Sequence, residues 1–306
     1  MVHVLADGAV VPDEDFILPF ILDESDLHGR MVGLADTMNQ ILRQHDYPKP
    51  VARLLGEALT LTALLSAALK FEGVFTMQTK GDGPVGLLVC DATDSGALRG
   101  YAKVDGDIPD NSSSASALSD LLGKGHLAFT VDQGDDTDRY QGIVELNGET
   151  LEECVHHYFR QSQQFQAAVK VTVAGGDDEP WCAGGLMLQR LPGDEKAIDA
   201  PRMDAVWQTA MESIAYCDLS QLVEHNTSPY DLLFNLFNGD NVRVFDAKQA
   251  RAECRCSRKR VGVVLASLSD EDIEAMKEDG HILVTCEFCN RSMSFDEIDL
   301  ATMRSI

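Results

Sequence analysis

The chain has 306 residues, enough for about two domains, and its 44% hydrophobic and 25% charged residues fill a core, which excludes a disordered, collagen-like or coiled-coil protein. Twenty-five Lys and Arg against 50 Asp and Glu leave a net charge of −25, which repels phosphate backbones and argues against nucleic acid as the primary partner. The longest apolar run, residues 58–69, falls short of the roughly 20 residues a membrane span needs, so a buried core helix and no membrane partner are expected. The first twenty residues carry several acids and no basic stretch, so no secretory signal is expected and the expected address is the cytoplasm, where thiols stay reduced.

Residues 1–192 read as one mixed α/β domain. Periodicity predicts helices over 26–45, 50–70 and 150–163, the last opened by Thr150 and Glu153 at capping-box spacing. Strands are expected at 74–79, 85–90, 98–104, 127–131, 140–146, 168–173 and 184–188, with turn signals such as Gly81-Asp82-Gly83-Pro84 between several of them. The sequence holds no P-loop, dinucleotide fingerprint, nucleophile elbow or zincin motif, so no enzyme is expected. His156 and His157 adjoin on a helix and point in different directions, which is not a shared site. Acidic runs such as Asp135-Asp136 and Asp177-Asp178-Glu179 read as solvated loops. Cys90, Cys154, Cys182 and Cys217 are scattered, and inert packing is their simplest role.

A boundary loop is expected at 191–196, and residues 193–250 then read as a helical linker. Met203, Val206, Trp207, Ala210 and Ile214 share one helical face, and Leu219, Leu222 and Val223 share another. Ser228-Pro229 starts a third helix, on which Tyr230, Leu233, Phe234 and Phe237 follow at i, i+3, i+4 and i+7. Helices this short need a surface to lie on. A permanent subdomain and a conditionally docked linker fit the pattern equally.

The last segment, 251–306, carries the most informative feature. Cys254-x-Cys256 and Cys286-x-x-Cys289 offer four thiolates, the donor set of a closed tetrahedral zinc site, although an iron–sulfur cluster could use the same four. Around them, Ser257 is placed to cap a helix with Val261, Val264, Leu265 and Leu268 on one face. Ser269 starts a second helix, and Ser294 with Glu297 has capping-box spacing for a last one. So small a module needs a metal staple. Arg251, Arg255, Arg258, Lys259 and Arg260 sit where cations would offset the −2 of a zinc–tetrathiolate centre. A solvated helix start or a nucleic-acid patch would use the same residues.

The sequence resembles the bacterial 33 kDa chaperonin family, the redox-regulated heat-shock holdases. The likeness runs through Leu54-Leu55-Gly56-Glu57, Lys80-Gly81-Asp82-Gly83-Pro84-Val85, Leu98-Arg99-Gly100-Tyr101, Tyr140-Gln141-Gly142, Gln161-Ser162-Gln163-Gln164 and Ala183-Gly184-Gly185-Leu186-Met187-Leu188-Gln189 to the paired cysteines. Asn290 departs from it, standing where glycine is commoner. The resemblance implies an α+β protein: a core with two β-sheets and flanking helices, a linker docked across one sheet, and a small C-terminal domain holding zinc on four cysteines. It implies one Zn2+ per chain on Cys254, Cys256, Cys286 and Cys289 in a reduced, inactive state. Oxidation would form the disulfides Cys254–Cys256 and Cys286–Cys289, expel the metal and unfold the linker, baring the faces of Trp207, Ile214, Phe234 and Phe237. The active form, often a homodimer, would hold unfolding client proteins without ATP. A zinc-ribbon regulator binding nucleic acid through residues 255–260 is the alternative, and a thiol–disulfide oxidoreductase using Cys286 and Cys289 is a third.

Overall fold

A computed structural model describes residues 15–108, 118–134, 139–162, 166–177, 179–190, 200–223 and 227–304. The boundary loop at 191–196, the acidic pair Asp135-Asp136 and the side chain of Met203 lie outside the described residues. The chain divides into two compact units, Met1–Ala252 and Glu253–Ile306.

The first unit opens with a hairpin of β1 (Phe16–Leu22) and β2 (Leu27–Leu34), turning at Asp26 with φ +51°. This corrects the helix expected over 26–45: only α1 (Asp36–Leu42) is helical there. The reason lies in the pairing. Phe16 stands opposite Gly33 and Phe20 opposite Gly29. A Cβ on Gly29 would lie 2.0 Å from the Phe20 ring, and one on Gly33 2.5 Å from that of Phe16. The glycines therefore seat the cross-strand aromatic rings. Asp15 caps α1 from outside, accepting from the Ala35 N–H at 2.5 Å and the Thr37 N–H at 2.7 Å.

Next comes α2 (Lys49–Ala68), started by Pro48 and Pro50 and buried along most of its length. By length and composition it is the one candidate membrane span among the described residues, yet 78% of its apolar window is buried within the fold. There follow β3 (Val74–Gly81), β4 (Val85–Thr93), β5 (Ala97–Val104), α3 (Leu118–Leu122), β6 (Gly125–Asp132), β7 (Tyr140–Glu145), α4 (Leu151–Ser162), β8 (Gln166–Gly176) and β9 (Glu179–Arg190). The helices α5 (Ala200–Tyr216), α6 (Ser220–Val223) and α7 (Pro229–Leu236) precede three short strands, β10 (Val242–Val244), β11 (Lys248–Gln249) and β12 (Arg251–Ala252).

Two sheets result. One runs β10-β1-β2-β9-β8, with β11 also on β1; the other runs β12-β5-β4-β3-β6-β7. Burial of Leu55, Leu59 and Leu64 on α2, with Val32 and Met187 from one sheet and Met77 and Leu88 from the other, forms the main core. The first sheet is buried on its second face as well. There Phe20, Leu186 and Leu188 meet Trp207, Ile214, Leu222, Leu233 and Phe237 from the segment spanning α5 to α7. This explains the unbroken apolar run of β1, whose Ile17 faces the main core while Phe16 and Leu18 face the helices. The Phe20 and Phe237 rings lie 6.0 Å apart. Phe234 is the exception: it is 46% exposed and belongs to the outer side of α7.

The second unit has a core of its own, built from Leu265, Ile273, Ile282 and Phe295. Its elements are α8 (Arg258–Ala266), α9 (Asp270–Ala275), the hairpin β13 (Ile282–Thr285) with β14 (Ser292–Phe295), and α10 (Glu297–Arg304). Ser257 and Ser269 cap α8 and α9, accepting from the N–H groups of Arg260 and Asp272. Val264, expected on the packed face of α8, is 60% exposed. The reciprocal box opening α10 is Asp296 with Asp299, rather than Ser294 with Glu297.

One group on α2 gives the first unit a pH dependence. Burial pushes the Glu57 carboxyl up to about 7, with Arg53 opposing and Glu152 reinforcing the rise. The unfolded chain ionises Glu57 near its ordinary value, so the folded state loses stability as pH climbs from there through 7. The cost at pH 8 is on the order of 2–3 kcal/mol. Glu57→Gln is therefore expected to raise Tm by several degrees at pH 8 and not at pH 4, read by calorimetry at both values. Equal shifts at the two pH values would contradict it.

Candidate metal centre

The hairpin β13–β14 aims its loop at the chain entering α8. Cys286 leaves β13, its N–H donating to the Arg291 carbonyl at 3.0 Å, and the Asn290 N–H returns to the Cys286 carbonyl at 2.8 Å. Closing this turn puts Asn290 at φ +52°, the left-handed region that glycine enters freely and asparagine tolerates best among the others. Asn290, standing where the resemblance leads one to expect glycine, leaves the turn intact. The other pair comes from the segment between β12 and the Ser257 cap.

The structure brings all four sulfurs together. The ligand atoms of Cys254, Cys256, Cys286 and Cys289 lie within 4.8 Å of one another. Cys254 Sγ is 3.7 Å from Cys286 Sγ, and Cys256 Sγ is 3.5 Å from Cys289 Sγ. A disulfide would need about 2.05 Å, so all four are free thiols. A tetrahedron with thiolate–zinc bonds of about 2.3 Å has edges of about 3.8 Å, so the separations fit a metal ion held by four sulfurs.

The electrostatics agree. Burial raises the Cys254 thiol, but the Cys256 N–H and hydrogen bonds with the other three sulfurs outweigh it and bring it down to about 7. Cys256 moves the opposite way, raised by burial and by the sulfurs already around it, and burial also raises Cys289. Protons leave such a cluster one at a time, and four adjacent negative sulfurs need a cation between them.

The basic residues divide. The Arg258 guanidinium lies 4.3 Å from the Phe295 ring centroid, donates to the Ser294 carbonyl at 2.6 Å and pairs with Asp299 at 2.5 Å. Arg260 donates to the Arg255 carbonyl at 2.9 Å. Arg251 belongs to the first unit, where it reaches Ser95. Arg258 thus joins α8, β14 and α10, a packing role distinct from the charge offset, solvated helix start or nucleic-acid patch expected from the sequence. The scattered cysteines stay apart: Cys90, Cys154 and Cys217 are buried, Cys182 is half-buried, and burial raises every one of these thiols, Cys217 to about 11.

The model of the family described as Hsp33 protein matches residues 15–296. The chain belongs to the Hsp33 family. Among its relatives, a 33 kDa chaperonin of Caulobacter vibrioides is 39% identical over 97% of this chain and 99% of its own length. One from Pseudomonas putida is 38% identical over 96% of this chain and 94% of its own length, and one from Shigella flexneri is 33% identical over 96% and 98%. The crystal structure of the 33 kDa chaperonin of Thermotoga maritima matches with TM-score 0.81 over 95% of this chain and 98% of that one, at 22% identity, which shows the shared fold. The chain is thus a chaperone of the Hsp33 type.

For this Hsp33 chain, Arg258 offers a test of how the second unit is held. Arg258→Ala removes the ring contact, the ion pair and the carbonyl bond together, and is expected to cost the unit about 1–2 kcal/mol. Faster amide exchange in β14 and α10, with exchange in α2 unchanged, is the signature. Unaltered exchange in β14 would show Arg258 to be dispensable.

Proposed function

We propose that this chain is a redox-switched, ATP-independent holdase of the cytoplasm, in which Cys254, Cys256, Cys286 and Cys289 hold one Zn2+ in the reduced, inactive state. The observation that carries the reading is four free thiols within 4.8 Å of one another, in a unit whose buried core, among the described residues, is four side chains. When bound, the ion keeps the four sulfurs as thiolates and staples the unit, contributing roughly 10–16 kcal/mol of apparent folding energy. Whole domains are stable by only about 5–15 kcal/mol, so a unit this small without its staple unfolds outright.

The chemistry belongs to the sulfurs. Two thiolates of a pair give two electrons to the O–O bond of a peroxide; an S–S bond forms, the O–O bond breaks, and the oxygens leave with protons as water. A pair so joined has no thiolate left for an ion. The closest resting contacts run between pairs, Cys254 to Cys286 and Cys256 to Cys289. Once the unit opens, loop entropy decides instead, and it favours the short rings Cys254–Cys256 and Cys286–Cys289.

Loss of the second unit reaches the linker along the chain. Cys254 follows β12 by two residues, and β11 and β12 are each held by two register pairs. Such strands fray once the segment beyond them is disordered, and the short helices α5–α7 cannot persist away from the sheet. Trp207, Ile214 and Phe237 then part from Phe20, Leu186 and Leu188, baring apolar surface that captures unfolding clients. Phe234 is exposed already, so its role is contact rather than release. The oxidised chain pairs as a homodimer, since bared faces of identical chains also match one another.

The switch is tested by peroxide treatment of the zinc-loaded protein at mildly elevated temperature. One zinc per chain is expected to reach a chromophoric chelator as four thiols disappear, with peptide mapping finding the two local disulfides. Suppression of light scattering from a heat-unfolded client should appear over the same time course. Full protection by the reduced, zinc-loaded protein would refute the switch.

A further inference from the structure

Most sheet edges in the first unit are guarded. β10, β11 and β12 are two or three residues long and carry Arg243, Lys248 and Arg251. β8 is long, but α4 covers its outer side: the Val169 N–H donates to His156 Nε2 at 2.9 Å and the Val171 N–H to Glu152 Oε2 at 2.9 Å. Natural sheets blunt edges in these ways because an unpaired row of N–H and C=O groups templates another strand.

Among the described residues, β7 has none of these guards. Its six residues, Tyr140-Gln141-Gly142-Ile143-Val144-Glu145, include no Lys, Arg or Pro, and among the described residues only β6 pairs with it. Tyr140 is 51% exposed and Ile143 57% exposed. Beside it opens a cleft of about 270 Å³, lined by Leu65, Phe71, Phe75, Phe129, Val131 and Tyr158. Tyr140 also lines it, its hydroxyl 3.3 Å from that of Tyr158. Tyr140, Gly142 and Val144 share one face of the strand, so a strand added beyond β7 would turn alternate side chains toward the cleft.

Charge narrows the guest. Asp132 and Arg139 neutralise each other near the start of β7, while Glu145 and Glu149 stand exposed at its end. The chain as a whole is at −25, which repels acidic segments and admits neutral or cationic ones.

We infer that the outer edge of β7 and the neighbouring cleft form a docking surface for an extended, apolar, non-acidic segment of an unfolding client. The segment adds as a strand by its backbone and lowers an apolar side chain into the cleft. This rests on the holdase reading for the identity of the guest, but not on the switch, because among the described residues only β6 pairs with this strand while all four thiols are free.

The test uses the full-length protein, reduced and oxidised, with a fluorescent peptide of about eight residues that alternates valine and threonine between terminal lysines. The same peptide N-methylated at alternate residues is the control. Binding by anisotropy is expected in both redox states, with amide protection appearing at 140–145. Ile143→Lys, which places a guard on the edge, should weaken it about tenfold while zinc content and Tm hold. N-methylation should weaken it as much on the unaltered protein, which keeps the test decisive if the variant misfolds. Unchanged affinity for the methylated peptide, or protection elsewhere, would overturn the assignment. So would protection of 140–145 that rises with protein concentration alone, which would make a second copy the guest. If the methylation and lysine effects hold while oxidised protein fails to protect a heat-unfolded client, the edge assignment stands and the holdase reading falls.

Discussion

Mutual repulsion among four sulfurs is the constraint on which the second unit turns. A backbone that places four thiols within 4.8 Å of one another has done so at a cost, because their negative forms cannot coexist there without a cation. The opposite displacements of Cys254 and Cys256, one pulled down and the other pushed up, are that conflict expressed in protonation. A unit whose buried core is Leu265, Ile273, Ile282 and Phe295 has little apolar burial with which to offset such a cost. A cation between the sulfurs would offset that cost and so, on the proposed reading, would support the fold of the unit.

The packing of the first unit is uneven. The main core closes around α2, buried from Val51 to Ser66 and contacting both sheets. The second apolar layer depends on helices of 17, 4 and 8 residues, the last two too short to stand alone in water. The strands that finish the segment hold two or three register pairs each. The two register pairs of β12 lie immediately before Cys254 in the chain.

The legibility of this structure in its sequence followed the range of the forces involved. The cysteine pairs were readable because soft-ligand chemistry and short covalent spacing are local. The linker faces were readable because Trp207, Ile214 and Phe237 obey a helical period. Phe234 and Val264 obey it too and are exposed, since periodicity defines a stripe and only the partner surface defines its width. The strand of residues 27–34 falls within the helix expected over 26–45 because Leu27, Met31 and Leu34 satisfy the helical spacing i, i+4, i+7. The decisive signal was Gly29 and Gly33, whose meaning depends on Phe20 and Phe16 across the strand pair. The short strands β10–β12 lack the length for any alternation to show, and their pairing is entirely tertiary. Arg258 was read for its charge, whereas its place over Phe295 is a matter of packing.

The charge balance completes the argument. A sheet buried on both faces, as β1, β2, β9 and β8 are, exposes Phe16, Leu18, Phe20, Leu186 and Leu188 as one continuous surface if its outer helices leave. An apolar patch of that kind drives self-association in most proteins. Net charge limits it, since like-charged chains repel as more of them gather. With 25 basic and 50 acidic residues, the chain carries twice as many negative side chains as positive ones. The same excess acts against acidic guests at the open edge of β7, where Glu145 and Glu149 lie exposed. Apolar surface supplies attraction without specificity, and a uniform negative field supplies selection without attraction. Together they suit the proposed role, in which such a surface would hold exposed, non-acidic chain while like charge limits association among its own copies.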